Sequence, residues 1–184
     1  MRKRLVTAPN IITAIRIAVV PLLGIFIARG AGLWAAGLMI LAGVSDVIDG
    51  WLARKHQQES AIGALMDPVA DKILLCVAAI YLVARPDQPF SPLLATLLLA
   101  REFFVSGLRA VLANVGVVMG AGKLGKYKTL FQISGIVGLF LAMDFPIPFF
   151  DLGGKTLLWI SVVLSYSSMI KYSWVAFQEL KKAD

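Results

Sequence analysis

The sequence predicts an all-α integral membrane protein with six transmembrane helices and both termini on the cytoplasmic side. Three observations carry that expectation. Apolar residues make up 59% of the 184-residue chain, against roughly half in an ordinary soluble domain, and the mean hydropathy is +0.81. The surplus is gathered into blocks near the length of roughly 20 residues that a helix needs to cross the hydrocarbon layer. Basic residues recur at alternate joints between those blocks.

The elements follow in order. Pro9–Ala28 comes after Arg2, Lys3 and Arg4. It is too long for the apolar core of a signal peptide and no small-residue cleavage site follows, so it reads as a retained first helix. Gly30-Ala31-Gly32 turns the chain into Leu33–Trp51, which runs down to Arg54 and Lys55. Val69–Ala84 is the third block, closed by Arg85-Pro86-Asp87-Gln88-Pro89. Pro92–Val118 is the fourth, followed by Gly120-Ala121-Gly122. Leu130–Phe150 is the fifth, with Pro146 and Pro148 marking its end, and Gly153-Gly154 reads as a joint before Leu157–Phe177, the sixth. A soluble helical bundle would need polar faces along these helices.

Net charge is +7, and its placement fixes the expected topology. Arg2–Arg4, Arg54 and Lys55, Lys123, Lys126 and Lys128, and Lys181 and Lys182 share one side when six helices alternate. The other side holds Arg29, Arg85 and Lys155, offset by Asp87, Asp144 and Asp151. The excess of Lys and Arg marks the first side as cytoplasmic. No basic face on a soluble module is present, which excludes nucleic-acid binding. The single cysteine, Cys76, lies in an apolar helix and permits neither an internal disulfide nor a thiolate metal site. Residues 1–184 read as one domain.

Ionisable residues within apolar spans are costly and point to function. Asp46 and Asp49 lie in the second block, Asp67 and Asp71 at the start of the third. The i, i+3 and i, i+4 spacings put each pair on one helix face. Asp46 lies roughly 12 Å above the cytoplasmic end of its helix and Asp71 roughly 12 Å along the next, at 1.5 Å per residue. Four carboxylates at one level do not all stay ionised without cations. Oxygen-only ligands favour Mg²⁺, Mn²⁺ or Ca²⁺, and two divalent ions balance four charges. A metal pair about 3.5–4 Å apart is suited to displacement at phosphorus. Gly50, Ala53 and Gly63 lie on the same faces one turn away; small residues there suit either helix packing or a bulky group beside the metals.

Read in line, the residues are Asp46-x-x-Asp49-Gly50-x-x-Ala53-Arg54, eight further residues, then Gly63-x-x-x-Asp67-x-x-x-Asp71. This resembles the full signature of the CDP-alcohol phosphatidyltransferase family. The resemblance implies transfer of a phosphatidyl or similar group from a CDP-linked donor to an alcohol, with release of CMP. It implies that Asp46, Asp49 and Asp67 bind two divalent ions, Mg²⁺ or Mn²⁺, and that Asp71 is the general base and also touches a metal. It further implies that Gly50, Ala53, Arg54 and Gly63 line the donor site, and that the protein is a homodimer in a membrane. Pro9-Asn10-Ile11-Ile12-Thr13-x-x-Arg16 opens the first span as in many members, with Asn10 and Thr13 facing the nucleotide.

Arg101-Glu102-Phe103-Phe104-Val105-Ser106-Gly107-Leu108-Arg109 and Gly125-Lys126-Tyr127-Lys128-Thr129 are similar to the branch of that family making phosphatidylglycerol phosphate. Glu102, Ser106 and Arg109 share one helix stripe, with Arg101 beside it. Arg101, Arg109, Lys126 and Lys128 together suit the phosphate of a dianionic acceptor such as glycerol 3-phosphate. A different reading pairs Arg101 or Arg109 with Glu102 to hold helices together, and leaves Lys126 and Lys128 to set topology. The expected partners are CDP-diacylglycerol, glycerol 3-phosphate and membrane lipids. The expected location is a bacterial inner membrane with the site facing the cytoplasm.

Other signals are set aside. Gly120-Ala121-Gly122-Lys123-Leu124-Gly125-Lys126-Tyr127 nearly spells a P-loop, but it joins two apolar helices and lacks the final hydroxyl residue. His56 is a lone interfacial histidine. Two alternatives stay open: another acceptor (inositol phosphate, serine or phosphatidylglycerol), or a cation or proton transporter. Transport would distribute acidic groups across the membrane depth or break helices at its midplane.

Overall fold

A long apolar block satisfies its own backbone by closing as an α-helix, and that is what each block does. The computed structural model describes residues 8–56, 61–87, 89–114, 116, 117 and 123–183. For residues 8–13, 46–56, 61–68, 114, 123, 124, 126, 182 and 183 it describes the backbone alone. Six helices follow one another: α1 (Ala8–Ala28), α2 (Gly32–His56), α3 (Ala61–Ala84), α4 (Pro92–Asn114), α5 (Lys123–Asp144) and α6 (Pro148–Ala183). Among the described residues all regular structure is helical, as the sequence predicts.

The ends of the helices explain where the apolar blocks misled. Gly30, at φ +74°, ends α1 with paired bonds from Gly30 N to Ile27 O at 3.1 Å and from Ala31 N to Phe26 O at 2.9 Å. Gly116, at φ +79°, repeats the motif: Gly116 N donates to Ala113 O at 3.1 Å and Val117 N to Leu112 O at 2.9 Å. This left-handed glycine closure satisfies the last carbonyls. The fourth helix therefore stops at Asn114, short of the Val118 that hydropathy suggests. Gly153-Gly154, expected to be a joint, lies inside α6, which begins at Pro148. The pair serves packing. A Cβ at Gly154 would stand 2.9 Å from the carbonyl oxygen of Gly135, and one at Gly135 would stand 2.9 Å from that of Gly154.

The helices close a ring. α1 packs between α2 and α3, α2 on α5, α5 on α6, α6 on α4, and α4 on α3. Leu23, Ile27, Met39, Leu82, Phe90, Leu98, Ile136 and Phe140 are among the side chains that fill its centre. Polar contacts knit one end. The Asp144 carboxylate, closing α5, accepts from the Leu33 amide at the start of α2, where a helix N-terminus favours negative charge. Arg85 donates from Nη1 to the Ile27 carbonyl at 3.2 Å. Its Nε donates to Asp87 at 2.9 Å, and that bond holds the Asp87 carboxyl below its ordinary range.

Gly32 makes the tightest of these approaches: a Cβ there would fall 2.0 Å from the Phe140 carbonyl oxygen, a backbone atom that cannot rotate aside. Gly32→Ala is expected to cost about 1–3 kcal/mol, the usual penalty of overpacking. Thermal melting in detergent checks this, with Gly37→Ala as the control because a Cβ at Gly37 meets nothing within 4 Å.

The outer surface of the ring is apolar. Phe149 is 76% exposed, Trp34 and Ile170 68%, and Leu41 and Phe177 66%. Among the described residues, however, no helix is long and apolar enough to cross a membrane. Charged groups interrupt the apolar runs, notably Arg101, Glu102 and Arg109 in α4 and Lys155 and Lys171 in α6.

Candidate functional site

Two groups of polar side chains sit against this apolar framework, one around α1 and one around α6. The first is organised by Arg16, whose side chain is 1% exposed. From α1 it donates through Nη1 to Asp71 Oδ1 on α3 at 3.0 Å and through Nη2 to Ser45 Oγ on α2 at 3.4 Å. Ser45 in turn donates to the Ala42 carbonyl at 2.8 Å. One guanidinium thus ties α2 and α3 together at a single level. Ser45 is the neighbour of Asp46 in sequence, so Arg16 bridges the residue before Asp46 on α2 to Asp71 on α3. Both helices run unbroken through the four aspartate positions, so the i, i+3 and i, i+4 pairs keep their common faces.

Of the four aspartates, Asp71 has a described side chain, and it is 50% exposed. The side chains of Asp46, Asp49 and Asp67 lie outside the described residues, as do those of Asn10, Thr13, Ala53, Arg54 and Lys126 and the surroundings of Gly50 and Gly63. Among the described residues no group of three or more metal-ligating side chains occurs. What the structure does supply is the alignment of the two helices that carry the four carboxylates. Aspartate carboxylates offer only anionic oxygen, the donor chemistry that would suit a hard divalent cation there.

The second group joins α4, α5 and α6. Arg101 is 3% exposed and Lys128 8% exposed. Every edge of the Arg101 guanidinium is used. Nε donates to the Ser165 carbonyl at 3.1 Å, Nη1 to Glu102 Oε1 at 3.2 Å, and Nη2 to Ser168 Oγ at 2.7 Å. Lys128 donates to the same Glu102 oxygen, and its carbonyl accepts from Ser161 Oγ at 2.9 Å. Arg109 lies with its Cζ 5.2 Å from the centre of the Tyr172 ring. Its Nε is buried and finds no hydrogen-bond partner among the described residues. Its charge is near enough to interact with those of Arg101 and Lys128.

The arrangement refines the sequence reading at two points. Arg101 pairs with its own neighbour Glu102 within α4 and ties α4 to α6 through the Ser165 carbonyl and Ser168 Oγ, so the helix-holding contacts run to α6 and not through the Arg101–Glu102 pair. Lys128 is a buried partner of Glu102 and not only a topology marker. Among the described residues Arg109 Nε is buried without a hydrogen-bond partner, whereas each guanidinium nitrogen of Arg101 has one.

A family model matches residues 6–167, and its description is CDP-alcohol phosphatidyltransferase. The chain belongs to that family. Both polar groups fall within the match up to Ser165; Ser168 and Tyr172 lie just beyond it. Curated relatives agree. The CDP-diacylglycerol–glycerol-3-phosphate 3-phosphatidyltransferase of Rickettsia bellii (strain RML369-C) is 38% identical over 168 residues, covering 89% of this chain and 92% of that protein. Proteins of the same name from Rickettsia typhi (strain ATCC VR-144 / Wilmington) and Yersinia pestis (strain Pestoides F) are 36% and 33% identical. The Rickettsia typhi protein matches over 89% of this chain and 93% of its own length. Phosphatidyltransferase membership makes the chain an enzyme, and the aspartate-bearing turns of α2 and α3 lie within the matched residues.

Sequence reasoning missed several residues of these groups. Ser45, Ser165, Ser168 and Tyr172 have no local pattern that marks them; they matter only because α1, α4 and α6 bring partners to them. Arg16 did carry a signal, an arginine within an apolar span, which calls for a buried partner.

Proposed function

We propose that the chain transfers the phosphatidyl group of CDP-diacylglycerol to the primary hydroxyl of glycerol 3-phosphate, giving phosphatidylglycerol phosphate and CMP. The observation that carries the choice of acceptor is the α4–α6 group. Arg101 and Lys128 converge there on one carboxylate, Glu102, and Arg109, lying over the Tyr172 ring, adds a third positive charge near theirs. The surplus of positive charge suits a dianionic phosphate, which serine lacks. The names of the relatives support the same acceptor.

In this reading the acceptor's phosphate binds Arg109, which lies over the Tyr172 ring. Arg101 and Lys128 add charge from behind while Glu102 keeps them in place. Asp71, half-exposed on α3, takes the proton of the acceptor hydroxyl. The freed oxygen attacks the phosphatidyl phosphorus, the bond to the CMP oxygen breaks, and CMP leaves. Asp46, Asp49 and Asp67, with Asp71 at their margin, would hold two divalent ions. Asn10, Thr13, Gly50, Ala53, Arg54 and Gly63 would line the donor's nucleotide and pyrophosphate. The ions, Mg²⁺ or Mn²⁺, supply compensation for the charge on the donor pyrophosphate and on the departing phosphate.

The enzyme works in this reading as a membrane protein, with the aspartates near the cytoplasmic face of a bacterial inner membrane. Support comes from large apolar side chains exposed around the ring, since soluble monomers rarely expose contiguous apolar surface on that scale. Basic residues at one end of the helices add the cytoplasmic orientation. A transporter is the less favoured reading because the sequence gathers the aspartates in one stretch, Asp46 to Asp71, and does not distribute them over the spans.

The test is CMP release from CDP-diacylglycerol by detergent-purified protein. Exhaustive chelation with EDTA is expected to abolish it, and Mg²⁺ or Mn²⁺ to restore it. Full turnover after chelation sinks the metal-binding assignment of the aspartates.

A further inference from the structure

Arg16 has no part in the chemistry described above, yet it is an almost fully buried cation that touches both helices of the aspartate signature. Two of its contacts are on different elements: Asp71 Oδ1 at 3.0 Å on α3 and Ser45 Oγ at 3.4 Å on α2. Ser45 adjoins Asp46 in sequence. α1 is the helix that packs on both α2 and α3, so it is the element from which one side chain spans them.

We propose that Arg16 is a positioning residue: it fixes the depth and rotation of Asp71 relative to the Asp46–Asp49 turn through its simultaneous contacts with Asp71 and Ser45. The proposal rests on the reading of Asp71 as the base. Three features argue for positioning over general packing. The guanidinium is planar and forked, so it holds two partners in a fixed mutual geometry that an ammonium or a hydrophobe cannot reproduce. Asp71 is half-exposed, so the bond from Arg16 restricts where its carboxylate points. Ser45 is itself pinned by its bond to the Ala42 carbonyl, which makes it a fixed reference on α2. Displacement of a reacting group by about 1 Å costs on the order of 10²-fold in rate, and Arg16 is placed to prevent displacements of that size.

The experiment uses the full chain in detergent and four variants: Arg16→Met, Arg16→Lys, Ser45→Ala and Asp71→Asn, with the Arg16→Met/Asp71→Asn double variant. Turnover is measured per folded molecule, along with KM for both substrates and thermal melting of the metal-free protein. Arg16→Met is expected to lower kcat on the order of 10²-fold with both KM values little changed. Arg16→Lys should recover part of that loss by keeping the Asp71 contact. Ser45→Ala, which removes the α2 contact alone, should fall between wild type and Arg16→Met. The double variant should be no slower than Asp71→Asn, because Arg16 acts through Asp71. The proposal is overturned if Arg16→Met melts earlier but keeps wild-type kcat per folded molecule. It is equally overturned if the two losses multiply to within about twofold, as independent sites do. Should Arg16→Met not fold, a Ser45→Ala variant with wild-type kcat and an Arg16→Lys variant with wild-type kcat overturn it together. A fully active Asp71→Asn is a different outcome: it removes the base assignment itself, whatever Arg16 does.

Discussion

Asp71→Asn is expected to reduce turnover by about 10²–10⁴-fold, the usual contribution of a positioned general base. Donor affinity should largely survive. The expectation follows from the place of Asp71 in the structure. It is the last aspartate of the signature, it is half-exposed, and it is held by Arg16 from α1. The amide keeps the shape and can still accept from the guanidinium, so the fold should persist while the proton acceptor is lost. The comparison variants are Asp46→Asn, Asp49→Asn and Asp67→Asn, which should weaken metal and donor binding together. Steady-state kinetics with CDP-diacylglycerol varied at saturating acceptor separate the two patterns. Retention by Asp71→Asn of more than about a tenth of the wild-type rate excludes it as the base.

Arg109→Ala is expected to raise the acceptor KM with little change in the donor KM. A hydrogen bond between charged groups contributes about 1.5–3 kcal/mol. Two such bonds from one guanidinium to a phosphate, partly offset by water in the free site, suggest a loss of about 2–3 kcal/mol. That is a rise of roughly thirty- to over a hundredfold in KM at 1.4 kcal/mol per tenfold. Arg109→Lys should recover only part of it, since an ammonium does not reproduce the fork. Arg101→Ala should behave differently. It removes one partner each from Glu102, the Ser165 carbonyl and Ser168 Oγ, but Glu102 keeps Lys128 and Ser168 keeps the Ser165 carbonyl, so the cost should stay below the about 3–5 kcal/mol of a buried pair left with an orphaned partner. Its signature is a lower melting temperature and yield. If Arg109→Ala raises the donor KM and leaves the acceptor's alone, Arg109 belongs to the CDP-diacylglycerol site.

These two arginines show where the sequence was informative and where it stopped. Hydropathy marks six helices because a long apolar run has few other ways to satisfy its backbone. The aspartate faces were legible because their spacing is local to one helix, and the continuous α2 and α3 preserve it. Helix ends were less so. Gly116 ends α4 through a left-handed turn although the residues after it are apolar, and Gly153-Gly154 is used for close packing against Gly135 although it has the composition of a turn. Partners across helices were not legible at all. Nothing near Arg101 in sequence indicates that α6 offers the Ser165 carbonyl and Ser168, or that Lys128 shares Glu102 with it. The choice between a phosphate-binding and a helix-pairing Arg101 depends on those long-range contacts, as does the role of Arg16.

The most direct measurement of the central claim is an acceptor panel. Full-length protein in detergent is given CDP-diacylglycerol and Mg²⁺ or Mn²⁺, with glycerol 3-phosphate, inositol phosphate, serine or phosphatidylglycerol in turn, and CMP is scored. The account predicts CMP with glycerol 3-phosphate, formed together with phosphatidylglycerol phosphate, and background levels with the other three. CMP release with another acceptor while glycerol 3-phosphate stays inert would contradict it, as would no CMP with any of the four.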